Sequence, residues 1–95
     1  MEETIEINCK KAKDTDLSDL GESLKKIGGV ERAKNVLIDY KTIGIDIKSS
    51  KTFNGRQVPK SALFEIIGNY NPSEVYQVIT SSGYQITKIN NQEFK

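Results

Sequence analysis

Ala62-Leu63-Phe64-Glu65-Ile66-Ile67, then Asn71-Pro72-Ser73-Glu74, Ser82-Gly83 and Tyr84-Gln85-Ile86-Thr87-Lys88-Ile89 follow one another in the last third of the chain. The first piece alternates about an apolar set and reads as a strand. The second is a helix start. Asn71 is the capping residue, Pro72 occupies the first helical position, where no N–H is needed, and Glu74 is the return partner of a capping box. Val75, Val78 and Ile79 form the apolar stripe of that helix, and Gly83 stops it. The last piece reads as a closing strand. A strand, a helix and a strand in so few residues must share one core, and the rest of the chain is read around that unit.

Working back to the beginning, Thr4-Ile5-Glu6-Ile7-Asn8-Cys9 places Ile5, Ile7 and Cys9 on one face and Thr4, Glu6 and Asn8 on the other, the pattern of a half-buried strand. Lys10 to Thr15 is polar and reads as a loop. Asp16 is the expected cap of a first helix, with Asp19 near its positive end. Leu17, Leu20, Leu24 and Ile27 share one helical stripe, and Gly28-Gly29 ends it.

Val30 to Lys48 carries two alternating sets, Val36, Ile38, Tyr40 and Ile43, Ile45, Ile47, which are out of phase across Lys41-Thr42. A bulge within one long strand accounts for this, and so does a turn pairing Tyr40 with Ile43. Asn54-Gly55 favours the bulge, because Asn-Gly is a preferred two-residue hairpin turn. Closing the hairpin there pairs Phe53 with Arg56 and sets Ile47 against Ala62, Ile45 against Phe64 and Ile43 against Ile66, all on one face. Pro59 then marks the outer limb as an edge. The element order β-α-β-β-α-β predicts a single domain over residues 1–95. Its expected fold class is α+β: a ferredoxin-like sandwich with two helices on one face of a four-stranded antiparallel sheet and an extended hairpin between its second and third strands.

Composition narrows the function. Ninety-five residues suffice for one modest core. Fourteen Lys and Arg against thirteen Asp and Glu leave a net charge of +1, which provides no global field for nucleic acid or an anionic membrane. The chain contains no histidine, so Ser-His-Asp, Cys-His and histidine-ligated metal chemistry are excluded. One cysteine forbids an internal disulfide and suits a reducing compartment. No apolar run is long enough to span a membrane, and Met1-Glu2-Glu3 is unlike a secretory leader. A cytoplasmic protein is expected.

Ile7-Asn8-Cys9-Lys10-Lys11-Ala12 lies where the first strand gives way to loop and helix, the place of a Met-x-Cys-x-x-Cys motif in the heavy-metal-associated domain family. Gly28-Gly29-Val30 resembles that family's Gly-Val after the first helix. Gly68-Asn69-Tyr70-Asn71-Pro72 resembles the Gly-x-x-Asp-Pro of its plant-type members. The resemblance covers roughly residues 4–38 and 62–90. In this sequence Ile7 stands at the methionine position, Cys9 at the first cysteine and Ala12 at the second. Copper(I) prefers thiolates, and one sulfur without a second or a thioether does not make a tight, transferable monomeric site. The resemblance therefore implies a scaffold kept without its two-cysteine site, and no cofactor is expected. The alternative is a soft-metal binder in which Cys9 of two chains grips one copper(I), making a homodimer.

Cys9 is thus the one candidate metal ligand, and Lys10, Lys11 and Lys13 beside it would favour its thiolate. In phase with Ile5 and Ile7 it reads equally as a small apolar core residue, and that reading is preferred. For contact with another protein the candidates are Lys10, Lys11 and Lys13 on the loop and Lys51, Asn54, Gly55 and Arg56 on the hairpin, polar stretches between well-specified elements. Phe64 and Tyr40 lack the signatures of a base-stacking sheet, so nucleic acid is not an expected partner. A regulatory domain binding a small ligand is a weaker alternative. No acid–base pair, phosphate-cradling glycine loop or activated nucleophile is recognisable, so a non-enzymatic interaction module is expected.

Overall fold

The structure, a computed structural model, describes residues 1–9, 14–43 and 56–94. In chain order these form strand β1 (Glu2–Asn8), helix α1 (Asp14–Lys25), strands β2 (Val30–Ile43) and β3 (Arg56–Gly68), helix α2 (Pro72–Ser81), and strands β4 (Gln85–Ile89) and β5 (Gln92–Glu93). The strands make one antiparallel sheet in the order β2-β3-β1-β4-β5.

One face of the sheet carries the core. Ile5, Ile7 and Cys9 follow the alternation of β1, Ala62, Phe64 and Ile66 that of β3, and Ile86 comes from β4. Leu17, Leu20 and Leu24 from α1 and Val75 and Ile79 from α2 close over them. Both helices therefore share one core. Phe64 is its largest fully buried side chain, and truncating such a residue to alanine costs about 3–5 kcal/mol. Asn71 caps α2 as its sequence dictates, its side-chain oxygen accepting from the Ser73 N–H at 3.1 Å. Gly83 follows the helix with φ +93°.

Two element boundaries differ from expectation. Helix α1 begins at Asp14 rather than after a cap at Asp16. The sheet has five described strands, not four. Asn90 and Asn91 adopt φ 51° and 66°, the two left-handed positions of a primed hairpin turn, which asparagine tolerates better than other side-chain-bearing residues. They fold β5 back on β4, with Ile89 opposite Gln92. The Phe94 N–H then donates to the Thr87 carbonyl at 3.1 Å, and the Phe94 ring meets Tyr76 edge-on at 5.5 Å.

β2 and β3 pair antiparallel along their length, but not in the expected register. Ile43 lies opposite Arg56, Ile38 opposite Ala62 and Ala33 opposite Ile66. Ile43 therefore does not face Ile66, Phe53 is not the partner of Arg56, and Tyr40 faces Pro59 rather than Ile43. Residues 44–55, including Ile45, Ile47 and the Asn54-Gly55 pair, lie outside the described residues. β2 runs straight through Lys41-Thr42. The register jumps instead at Glu31, Val36 and Lys60, the residues skipped by the pairing. At Val36 the bulge is held by Asn35, whose side-chain amide donates to the carbonyls of Leu37 (3.1 Å) and Leu63 (3.0 Å).

The inner end of the hairpin supplies what alternation could not. Gly29 has φ +91°, and its carbonyl accepts from the Asn69 N–H at 2.9 Å. A Cβ on Gly29 would collide with the Asn69 carbonyl, and one on Gly68 would collide with the Gly29 carbonyl. This close backbone approach pins the start of β2 to the end of β3, with Val30 opposite Gly68.

Candidate functional site

β2 is the outermost strand on one side of the sheet. Among the described residues the exposed large apolar side chains are Met1, Val36, Leu37, Tyr40 and Phe94, and three of these five belong to β2. Leu37 is 61% exposed, Val36 42% and Tyr40 40%. The Val36 bulge accounts for the exposure of Leu37. It shifts the alternation so that Leu37 stands opposite Leu63 on the sheet face away from the helices. Sequence alternation alone had grouped Val36 with Ile38 and Tyr40. The signal for the bulge was Asn35, a residue disfavoured within strands whose amide can bridge a displaced carbonyl.

On the helix side of the same strand runs a groove of about 340 Å³ between α1 and β2. Leu17, Gly21 and Ala33 line its depth and Lys25 stands on its helix rim, while Arg32 and Lys34, which flank Ala33 on β2, pair with Ile67 and Glu65 and so belong to the opposite sheet face. Glu22 is the one carboxylate in the lining and pairs with Lys25 at 3.3 Å. A second, more polar cleft of about 450 Å³ lies on the other sheet face, lined among others by Glu6, Asp39, Lys41 and Lys60. Its mixture of charges favours no single ligand class.

Cys9 is fully buried beside Ile5 and Ile7, and its Sγ–H lies 3.9 Å from the Ile7 carbonyl. Burial pushes its thiol up to about 11, so at neutral pH it is protonated and shielded. Among the described residues no three of Cys, Asp and Glu gather where they could hold a metal ion. Ala12 lies outside those residues.

The expected partner-binding residues Lys10, Lys11, Lys13, Lys51, Asn54 and Gly55 also lie outside the described residues. Arg56 is the first residue of β3. The Cys9 N–H donates to the Lys60 carbonyl at 2.9 Å. The end of β1 therefore lies beside the outer limb of β3.

Reasoning from sequence missed one buried polar cluster. Glu3, 6% exposed, accepts from the Tyr70 hydroxyl at 2.7 Å and from the Tyr76 hydroxyl at 2.6 Å. Burial, reinforced by the hydrogen bond to Glu3 and by its charge, raises both phenols, Tyr76 to about 12 and Tyr70 further. The three side chains tie β1 to α2 and to the turn before it. The arrangement satisfies its own donors and acceptors and leaves none aimed at a ligand.

Compared with protein-family models, with curated proteins and with solved structures, the chain matches none. No helix is long and apolar enough to cross a membrane.

Proposed function

We propose that this protein is a non-enzymatic interaction module, built on a ferredoxin-like scaffold of heavy-metal-associated type, that binds another protein through the β2 side of its sheet. The observation that carries this is the concentration of exposed Val36, Leu37 and Tyr40 on one edge strand. Apolar side chains gathered on an otherwise polar surface mark contact sites. The scaffold reading is supported by the strand order β2-β3-β1-β4 with a helix after β1 and another after β3. Its likeness to the heavy-metal-associated type rests on Gly28-Gly29-Val30 and on the Asn71-Pro72 helix start. The buried, protonated Cys9 argues against a soft-metal site as the purpose of the fold. A cytoplasmic location remains part of the proposal.

The test is a photo-crosslinking amino acid placed at Leu37, and separately at Glu22, with the intact protein in extract of its own cells. A discrete crosslinked protein from position 37 and none from position 22 supports binding at the exposed strand. Identical patterns from both positions contradict it.

A further inference from the structure

We propose that the partner enters as an extended acidic strand, added to the edge of β2 that no described strand pairs with, its side chains on the helix side reaching the groove between β2 and α1. This rests on the interaction-module reading and names the partner's chemistry. A strand at the end of a sheet has backbone donors and acceptors that an extended segment can pair with, while the added segment's side chains alternate between the two faces. On the helix side, alternate side chains of the segment would lie over Ala33 and the groove floor. On the opposite face, the remaining side chains would neighbour the exposed Arg32 and Lys34. The pattern that fits is therefore apolar or small residues towards the groove alternating with Asp or Glu beside Arg32 and Lys34. Glu65 stands across β3 from Lys34 and Asp39 lies further along β2, whereas Arg32 has Ile67 across from it. The acidic preference is thus centred on Arg32.

Gly21 gives an independent reason to regard the groove as a site. Glycine in a helix interior costs about 1 kcal/mol relative to alanine. Here nothing steric requires it: a Cβ at Gly21 would sit 3.7 Å from the Phe64 ring, an ordinary contact, and the backbone is not left-handed. What the missing side chain provides is depth, since it leaves the groove open down to the core. A methyl group fits there against the Phe64 ring, and a longer side chain would have to extend into the groove.

The same charges decide between occupants. Arg32, Lys34 and Lys41 on β2, together with its bulges at Glu31 and Val36, are devices that keep an edge strand from pairing with a copy of itself. β2 carries Arg32, Lys34 and Lys41 against Glu31 and Asp39, so an acidic strand meets an excess of cations while a second β2 would bring more of them.

The experiment selects a random dodecapeptide library on the immobilised intact chain, then measures the enriched peptides by fluorescence anisotropy. Enriched sequences should alternate acidic with apolar or small residues. Their affinity should fall at least tenfold with Arg32→Glu/Lys34→Glu and with Gly21→Met. Gly21→Ala should bind nearly as well as the parent and be at least as stable to heat, which separates a filled groove from a damaged helix. Peptides without acidic residues, or binding indifferent to both variants, would overturn the proposal. If acidic peptides bind but depend on Arg56 or Lys51 instead, the interaction module stands and the groove assignment fails. If no peptide is enriched, both fail. A dimer in sedimentation that Leu37→Lys dissociates would assign the edge to a second copy and overturn the acidic strand.

Discussion

Removing the phenol hydroxyls from Glu3 should expose how much of this fold hangs on one buried carboxylate. Glu3 is almost fully buried, and both its oxygens accept from tyrosine, at 2.7 and 2.6 Å. A hydrogen bond to a charged group contributes about 1.5–3 kcal/mol net. Tyr70→Phe should therefore cost about 2 kcal/mol, and Tyr76→Phe, at the half-buried end, somewhat less. The double variant should cost more than the sum of the singles, about 4–5 kcal/mol, because it leaves an uncompensated charge in the core. That is a large share of the ~5–15 kcal/mol that stabilises an ordinary domain. Adding Glu3→Met to the double variant removes the charge and replaces it with an apolar chain of similar length, so the triple variant should recover most of the loss. Urea denaturation followed by circular dichroism at pH 7 measures all four. Single variants within about 0.5 kcal/mol of the parent, or a triple variant no more stable than the double, would refute the reasoning.

The same groups set an alkaline limit. Tyr70, Tyr76 and Cys9 all hold their protons more tightly when folded, so their contribution is complete below the unfolded values of ~8.5–10 and declines as pH rises through the folded ones. Stability should fall from about pH 9 upward in a pH series of urea midpoints, and the Tyr70→Phe/Tyr76→Phe variant should fall less steeply. Gly29→Ala should lower stability by more than about 1 kcal/mol in thermal melts, since it combines a left-handed backbone with a collision against Asn69, while Gly28→Ala, with open space around it, should change it little. Cys9 should resist a soluble thiol reagent in the native protein and react fully in urea. Rapid native labelling would show that the thiol is accessible.

Faces were legible in the sequence, and register was not. The stripes of Leu17, Leu20 and Leu24, of Val75 and Ile79, and the alternation of Ile5, Ile7 and Cys9 and of Phe64 and Ile66 each lead to the buried side. Alternation has period two, so any even slide of β2 along β3 preserves the faces. The expected pairing of Ile43 with Ile66 satisfied the pattern as well as the pairing of Ala33 with Ile66 that occurs. What selects the register is the mutual approach of Gly29 and Gly68, a backbone contact that side-chain patterning does not carry. Asn54-Gly55, which lies outside the described residues, is the conspicuous turn signal of the sequence, while Asn90-Asn91, which forms a tight turn, lacks the glycine that makes such a signal conspicuous.

The candidate site was hidden for a related reason. Polar loops are the usual binding surfaces of a rigid scaffold, and on that ground the sequence points to the basic loop and the hairpin tip. Val36 reads as one of an alternating set with Ile38 and Tyr40, and Leu37 carries no signal, whereas the bulge at Val36 leaves both exposed. Gly21 carries no signal in the sequence, and its place in the groove follows only from setting α1 against β2.

Amide hydrogen exchange and cross-strand nuclear Overhauser effects, recorded on the intact chain with and without a selected acidic peptide, test the central claim most directly. The account predicts new protection at the β2 amides facing away from β3, and backbone contacts between the peptide and the stretch Arg32–Leu37. Protection confined to residues 10–13 or 44–55, with β2 unchanged, would contradict it.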